Sequence, residues 1–378
     1  MENEIVSGIN LCFEDGRITA LSGGEIECNN IIDAQGCYIC AGFIDIHTHG
    51  GGGADFMDGG TEPILQAMRM HLSHGTTTIY PTGLTASKEV ISSFLMDVKA
   101  AASINDPFLP HIGGVHLEGP YFAPSQAGAQ NPDYLRNPDP AEYNEWFDIG
   151  NGLLKRISFA PELSGALELC DALSERNIIS AMAHSDAVYE DILPAYERGC
   201  RLVTHLYSAM NGVVRRNAYR KLGMVESAFL LDEMVAEIIA DGCHLPAELL
   251  KMIYRIMGPD RLILVTDSMR GAGMPDGPSV LGRTAEGVDC IIEDGVAKMP
   301  DRTCFAGSVA TADRLVRTMY KQAGVPLVEC VKMITATPAR VMGLKNKGSL
   351  KVGYDSDIVI FDDDISIKKV IVSNHSEI

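Results

Sequence analysis

Between positions 43 and 268 the chain repeats one pattern eight times: a short run of β-forming apolar residues followed by a longer stretch. The runs at 43–47, 76–81, 113–117, 156–160, 178–183, 201–205, 236–240 and 261–266 read as strands. The stretches at 63–73, 88–102, 163–176, 189–198 and 246–257 place apolar residues at i, i+3 and i+4, the period of a helix with one buried face. Strands that alternate with helices run parallel, and eight such units predict a closed (β/α)8 TIM-type barrel rather than an open doubly wound sheet. A dinucleotide fold lacks its signature. The glycines at 50–53 follow the first strand but are consecutive, without the Gly-x-Gly-x-x-Gly spacing, and they open no helix.

At 378 residues the chain is longer than a barrel of about 250 residues requires. The surplus lies at the two ends and in one insertion. Residues 1–42 carry short β-type pieces broken at Glu14-Asp15-Gly16, Ser22-Gly23-Gly24 and Ala34-Gln35-Gly36, and the far end predicts strands at 357–361 and 369–372. Neither end alone can bury a β core, so the two are expected to pair into one small β-sandwich. The expected units are therefore 1–42 and 346–378 in the sandwich and 43–345 in the barrel. A Gly/Pro-rich insertion at 271–300 contains Asp294-Gly295 between β-type residues, a hairpin signal. A helix at about 308–323 is expected to close the barrel, and Asp362-Asp363-Asp364 reads as a solvated turn.

The formal net charge of −19 excludes nucleic acid and anionic membrane as natural partners, because both demand basic surface. No run reaches the roughly 20 apolar residues of a membrane span, and the acidic start lacks the basic and apolar regions of a signal peptide, so a cytoplasmic location is expected. The ten cysteines are scattered, several inside apolar stretches, where a thiol behaves as a small hydrophobe. Cys37-Tyr38-Ile39-Cys40 has no second pair nearby and reads as structural.

Five of the eight strand ends carry metal-ligand residues: His47 and His49 after the first, Glu118 after the third, His184 after the fifth, His205 after the sixth and Asp267 after the eighth. In a barrel these ends meet on one face, where active sites of this architecture lie. Residues i and i+2 of a strand share a face, so His47-Thr48-His49 suits two ligands of one ion. Imidazole nitrogens with carboxylate oxygens suit a divalent cation, Zn, Fe, Mn or Co. A cation held there activates water and polarises a carbonyl, which predicts a hydrolase. Asp267 either takes the water proton as general base or caps a helix. Arg215-Arg216-Asn217-Ala218-Tyr219-Arg220-Lys221 is a basic island in an acidic chain, either a solvated loop or an anion clamp.

The segment from Phe43 to Gly50, Phe-Ile-Asp-Ile-His-Thr-His-Gly, resembles the opening strand of the amidohydrolase superfamily, and Gly348-Ser349-Leu350-Lys351-Val352-Gly353 resembles its return into a β-sandwich. More narrowly, His116-Leu117-Glu118-Gly119-Pro120, Ala160-Pro161-Glu162, His205-Leu206-Tyr207-Ser208-Ala209-Met210, Ala240-Asp241-Gly242-Cys243-His244 and Leu264-Val265-Thr266-Asp267 are similar to the motifs of N-acetylglucosamine-6-phosphate deacetylases. That resemblance implies a principal metal on Glu118, His184 and His205. It also implies a second on His47 and His49, with Glu118 bridging and Asp267 as general acid/base. It further implies a phosphorylated amino sugar as substrate and a homodimer in which Arg216 and His244 reach the phosphate of the neighbouring subunit's active site, with Ser208 and Ala209 nearby. Two positions depart from the family pattern. Gln130 stands in Gly128-Ala129-Gln130-Asn131-Pro132 where many members have His, and Ser208 stands where Asn is frequent. An epimeric N-acetylhexosamine 6-phosphate and a cyclic amide are the alternative substrates. The latter class normally needs a carboxylated Lys after the fourth strand, where this chain reads Ser158-Phe159-Ala160-Pro161-Glu162.

Overall fold

The computed structural model describes residues 4–373. All eight predicted barrel strands are present, with bounds within two residues of expectation: β1 Phe43–Thr48, β2 Thr76–Gly83, β3 Val115–Glu118, β4 Leu154–Phe159, β5 Ile179–Met182, β6 Leu202–Val203, β7 Val235–Ile238 and β8 Leu262–Leu264. They pair in chain order, each parallel to the next. One helix follows each strand: α1 Glu62–Ser73, α2 Lys88–Ala102, α3 Pro140–Ile149, α4 Ala166–Glu175, α5 Tyr189–Glu197, α6 Met224–Leu230, α7 Ala247–Met257 and α8 Ala312–Arg317. Helices α3 and α6 were outside the periodic stretches. The Asp139 carboxylate starts α3 by accepting from Ala141 N, and α6 has only seven residues, too few to display a period. The expected 308–323 helix is shorter than predicted: α8 gives way to a π-turn at Thr318–Gln322.

Between β8 and β1 there is no regular ladder. The cylinder is closed there by single hydrogen bonds, Asp267 N to His47 O at 2.9 Å and His49 N to Ser268 O at 2.7 Å. The buried Asp45 carboxylate adds to the seam by accepting from Thr266 Oγ1 at 2.6 Å. Burial pushes that carboxyl up to about 6, against the opposing pull of the Thr266 hydroxyl. Register between β1 and β2 slips between Asp45 and Thr48, where Ile46 and His47 stand against Tyr80 alone. Such a bulge resets the in–out alternation, so that Ile46 packs in the apolar floor of the barrel while His47, next in sequence, also serves its interior.

The barrel interior is layered. Ile44, Ile46, Tyr80, Leu202, Val235 and Ile263 fill the floor. Above them lies a fully buried polar layer of His116, Arg156, Ser158, Thr204 and Glu237. The larger apolar core lies between strands and helices and includes Phe94, Trp146, Leu169, Ile253 and Leu315.

The chain ends pair as expected. Asn10–Glu14 and Arg17–Ser22 form a hairpin turning at Asp15-Gly16, both with positive φ. Tyr38–Ala41 joins Ile358–Phe361 and Ile367–Ile371 in a three-stranded antiparallel sheet. Ile18 N to Tyr354 O and Gly353 N to Ile18 O, both 2.8 Å, tie the hairpin to the C-terminal segment. The insertion forms a sheet of Gly277–Leu281, Val288–Glu293 and Val296–Lys298, and Asp294 and Gly295 make the predicted turn with φ of 55° and 74°. All ten cysteines are free. Among the described residues no helix is long and apolar enough to cross a membrane.

Gly42 joins the terminal sheet to β1, its N–H donating to Asp357 O at 2.8 Å. A Cβ there would lie 2.0 Å from Thr77 Oγ1 and 2.6 Å from its Cγ2 on β2. Gly42→Ala is therefore expected to cost about 1–3 kcal/mol by overpacking. Adding Thr77→Ala should recover part of that loss, as read from urea-unfolding midpoints of the single and double variants.

Candidate metal centre and active site

Each ligand residue sits where the chain leaves the barrel, and the backbone turns sharply to aim it inward. His184, His205 and Asp267, just past β5, β6 and β8, have φ of 45°, 31° and 47°. Left-handed backbone is costly for residues other than glycine and clusters where function demands it. The result is two adjoining groups, His47 with His49 and Asp267, and Glu118 with His184 and His205. Glu118 joins them. Its Oε1 lies 2.8 Å from His205 Nε2, 3.4 Å from His184 Nε2 and 3.6 Å from His47 Nε2, and its Oε2 lies 3.3 Å from His49 Nε2. Asp267 Oδ1 is 3.1 Å from His49 Nε2 and 3.4 Å from His47 Nε2. The helix-cap alternative for Asp267 is excluded, since Thr311 occupies the N-cap position of α8.

The outer nitrogens of three rings show what the inner ones must do. His49 Nδ1 faces Thr82 O at 3.2 Å and His184 Nδ1 faces Gln126 O at 2.7 Å; a carbonyl only accepts, so each Nδ1 carries the proton. His47 Nδ1 lies 3.1 Å from Glu237 Oε2, a carboxylate that accepts as well. The Nε2 atoms therefore present lone pairs inward, and those of His47 and His49 are 3.2 Å apart, facing two carboxylates. So many acceptors turned on one another in a buried site need a positive charge between them. Imidazoles oriented by carbonyls and a carboxylate are the usual outer support of a metal site. The residues present thus fit one or two divalent cations.

Without a cation, protons are the only relief. Burial pulls the His47 imidazole down, but Asp267 and Glu118 outweigh it and push it up to about 9. His49, between the same carboxylates, rises to about 10 against the same desolvation. Glu118 is held well below the usual carboxylate range: burial raises it, but the surrounding imidazoles dominate.

Sequence reasoning missed the support beneath the site. Arg156 on β4 ion-pairs with Glu237 on β7, both fully buried, and Glu237 in turn orients His47. Arg156 Nη2 also donates to Thr204 Oγ1 at 2.6 Å, and His116 Nε2 meets Ser158 Oγ at 2.7 Å. An arginine and a glutamate at strand positions that face the interior were the available signal, because lone charges there must be paired.

His49, Glu118, His184, His205 and Asp267 line a cleft of about 650 Å³, with His47 behind them. Gln130, Ser208, Ala209 and His244 also line it. Gln130 is buried; its Oε1 accepts from Thr85 N at 2.9 Å and its Nε2 donates to Glu118 Oε2 at 2.7 Å, leaving one N–H. His244 Nδ1 pairs with Asp241 Oδ2 at 2.8 Å and its ring lies against Phe305, tilted by 50° with centroids 4.6 Å apart. The resemblance gives His244 to a neighbouring subunit's site; the structure sets it in the wall of its own chain's cleft. Arg216 does not line that cleft. It lies exposed on an antiparallel ribbon, Val214–Arg216 with Tyr219–Lys221, within 3.3 Å of Asp186 O.

A barrel with imidazoles and acids gathered at its mouth and a terminal β-sandwich defines a hydrolase class. The amidohydrolase family model matches residues 38–376, and the chain belongs to that family. An N-acetylglucosamine-6-phosphate deacetylase of Lysinibacillus sphaericus is 32% identical over 96% of this chain and 92% of its own length. An N-acetylgalactosamine-6-phosphate deacetylase of Escherichia coli O157:H7 is 30% identical over 95% and 92%. Among solved structures, an N-acetyl-D-glucosamine-6-phosphate deacetylase mutant of Mycobacterium smegmatis in complex with N-acetyl-D-glucosamine-6-phosphate has a TM-score of 0.88 at 29% identity, covering 96% of this chain and 93% of that one.

Elemental analysis of the purified protein is expected to find at least one divalent cation per chain, and Glu118→Gln, which touches both ligand groups, to lose most of it. Arg156→Met would leave Glu237 buried without its partner and is expected to cost about 3–5 kcal/mol, measured by urea denaturation.

Proposed function

We propose that the chain hydrolyses the acetamide of N-acetylglucosamine 6-phosphate, releasing acetate and glucosamine 6-phosphate. The observation that carries this reading is that both ligand groups, Asp267 among them, contribute residues to the lining of one cleft sized for a small ligand. The names of relatives that match nearly the whole chain supply the substrate class.

His47, His49, Glu118, His184 and His205 would hold one or two divalent cations, with zinc favoured by the nitrogen-rich set. A cation there supplies Lewis acidity toward water and the amide carbonyl. Asp267 accepts the proton of the attacking water at its carboxylate as the new carbon–oxygen bond forms. It then returns that proton to the sugar nitrogen as the carbon–nitrogen bond breaks. The free N–H of Gln130 donates to the substrate carbonyl. His244, held by Asp241, and the backbone at Ser208 and Ala209 face the phosphate end. Arg216 is exposed and does not line its own cleft, which supports a homodimer in which it serves the neighbouring site; sedimentation of the purified protein tests that assembly.

Acetate release should be fast with N-acetylglucosamine 6-phosphate and slower with the galactosamine epimer. Failure to release acetate from either ends the reading. Asp267→Asn is expected to lose nearly all turnover, about a thousandfold or more, while keeping its principal metal; a variant that retains more than a few per cent of activity removes Asp267 from the chemistry.

A further inference from the structure

Among the residues lining the cleft, Lys298 and Arg302 are the only lysine and arginine. Lys298 lies on the insertion and Arg302 in the turn just after it, far in sequence from the basic ribbon at 214–221. Lys298 ends the strand Val296–Lys298, and Arg302 follows in a tight turn closed by Met299 N to Cys304 O at 2.9 Å. Ala306 N to Ala297 O at 3.0 Å fixes that turn against the strand. The same turn delivers Phe305 onto the His244 ring, so the two cations stand on the rim beside His244.

We infer that Lys298 and Arg302 form an intrachain anion site for the phosphate of the sugar substrate, an inference that rests on the function proposed above. Glu293 holds the pair in place: its carboxylate accepts from Arg302 Nε at 3.1 Å and lies 3.4 Å from Lys298 Nζ. Glu293 itself is not part of the cleft wall. Asp294 takes a further Lys298 proton at 2.7 Å, and Arg302 Nη1 donates to Pro300 O. An ammonium has three N–H donors and a guanidinium five, so after these bonds each side chain keeps donors for an incoming oxyanion. Glu293 and Asp294 balance the two positive charges, so what the rim offers a phosphate in this chain of net charge −19 is oriented, charge-assisted N–H donors. The metal end fixes the acetamide and the insertion fixes the phosphate, setting the length of substrate that fits.

The test compares wild type with Lys298→Ala/Arg302→Ala and, against misfolding, Lys298→Gln/Arg302→Gln. Each is assayed on N-acetylglucosamine with and without the 6-phosphate at two ionic strengths. The expected result is a KM for the phosphorylated sugar raised about tenfold or more, with kcat within about threefold and the salt dependence of KM weakened. The ratio of kcat/KM for phosphorylated over plain sugar should fall by about the same factor. A ratio within about twofold of wild type in both variants overturns the inference. Should wild type hydrolyse neither sugar, the proposed function falls, and calorimetry with glucosamine 6-phosphate against glucosamine still decides on the rim. Preference for the phosphorylated form that the variants lose supports it; equal binding by wild type and variants overturns it.

Discussion

Lone pairs that face one another in a buried place have to be reconciled, and much of this barrel is organised around that requirement. His47 and His49 turn their Nε2 atoms to within 3.2 Å of each other and toward the Glu118 and Asp267 oxygens. Their outer nitrogens are committed to Thr82 O and Glu237, so the rings cannot flip to escape. A cation resolves the conflict in one step, which makes the centre selective for being filled.

The support is deep. Glu237 can orient His47 only because Arg156 neutralises it, and Arg156 can be buried only because Glu237, Thr204 and Ser158 accept from its Nη atoms. A buried ion pair contributes little net stability but is costly to break, so this layer acts chiefly to hold geometry. Below it the apolar floor supplies the rigidity, and above it the seam between β8 and β1 brings Asp267 against the His-x-His pair. The seam has single hydrogen bonds in place of a ladder, which lets both strand ends carry chemistry without competing for regular pairing.

On the proposed function, substrate recognition comes from outside this frame. Gln130 reaches in from the loop after β3, His244 from the loop after β7, and Lys298, Arg302 and Phe305 from the insertion after β8 and the turn that follows it. Loops on a rigid barrel vary without disturbing the metal centre, which is how one architecture serves many substrates. Gln130 illustrates the linkage: one N–H supports Glu118 and the other is left free at the cleft, so a neutral amide joins the loop to the metal-ligand groups while keeping a donor.

The amino-acid sequence by itself determined the eight strands, most of their helices, the hairpin turns at Asp15-Gly16 and Asp294-Gly295, and the ligand residues at five strand ends. Periodicity, turn chemistry and the position of a residue relative to its own strand are local properties and are written in order along the chain. Tertiary structure alone decided what those residues meet. The bulge between Asp45 and Thr48, the pairing of Arg156 with Glu237 across 81 positions and the placing of Lys298 and Arg302 on the cleft rim depend on register, barrel closure and the path of an insertion. The sequence showed the basic island at 215–221 more plainly than Lys298 and Arg302, because charge density counts neighbours in the chain, whereas an anion counts neighbours in space.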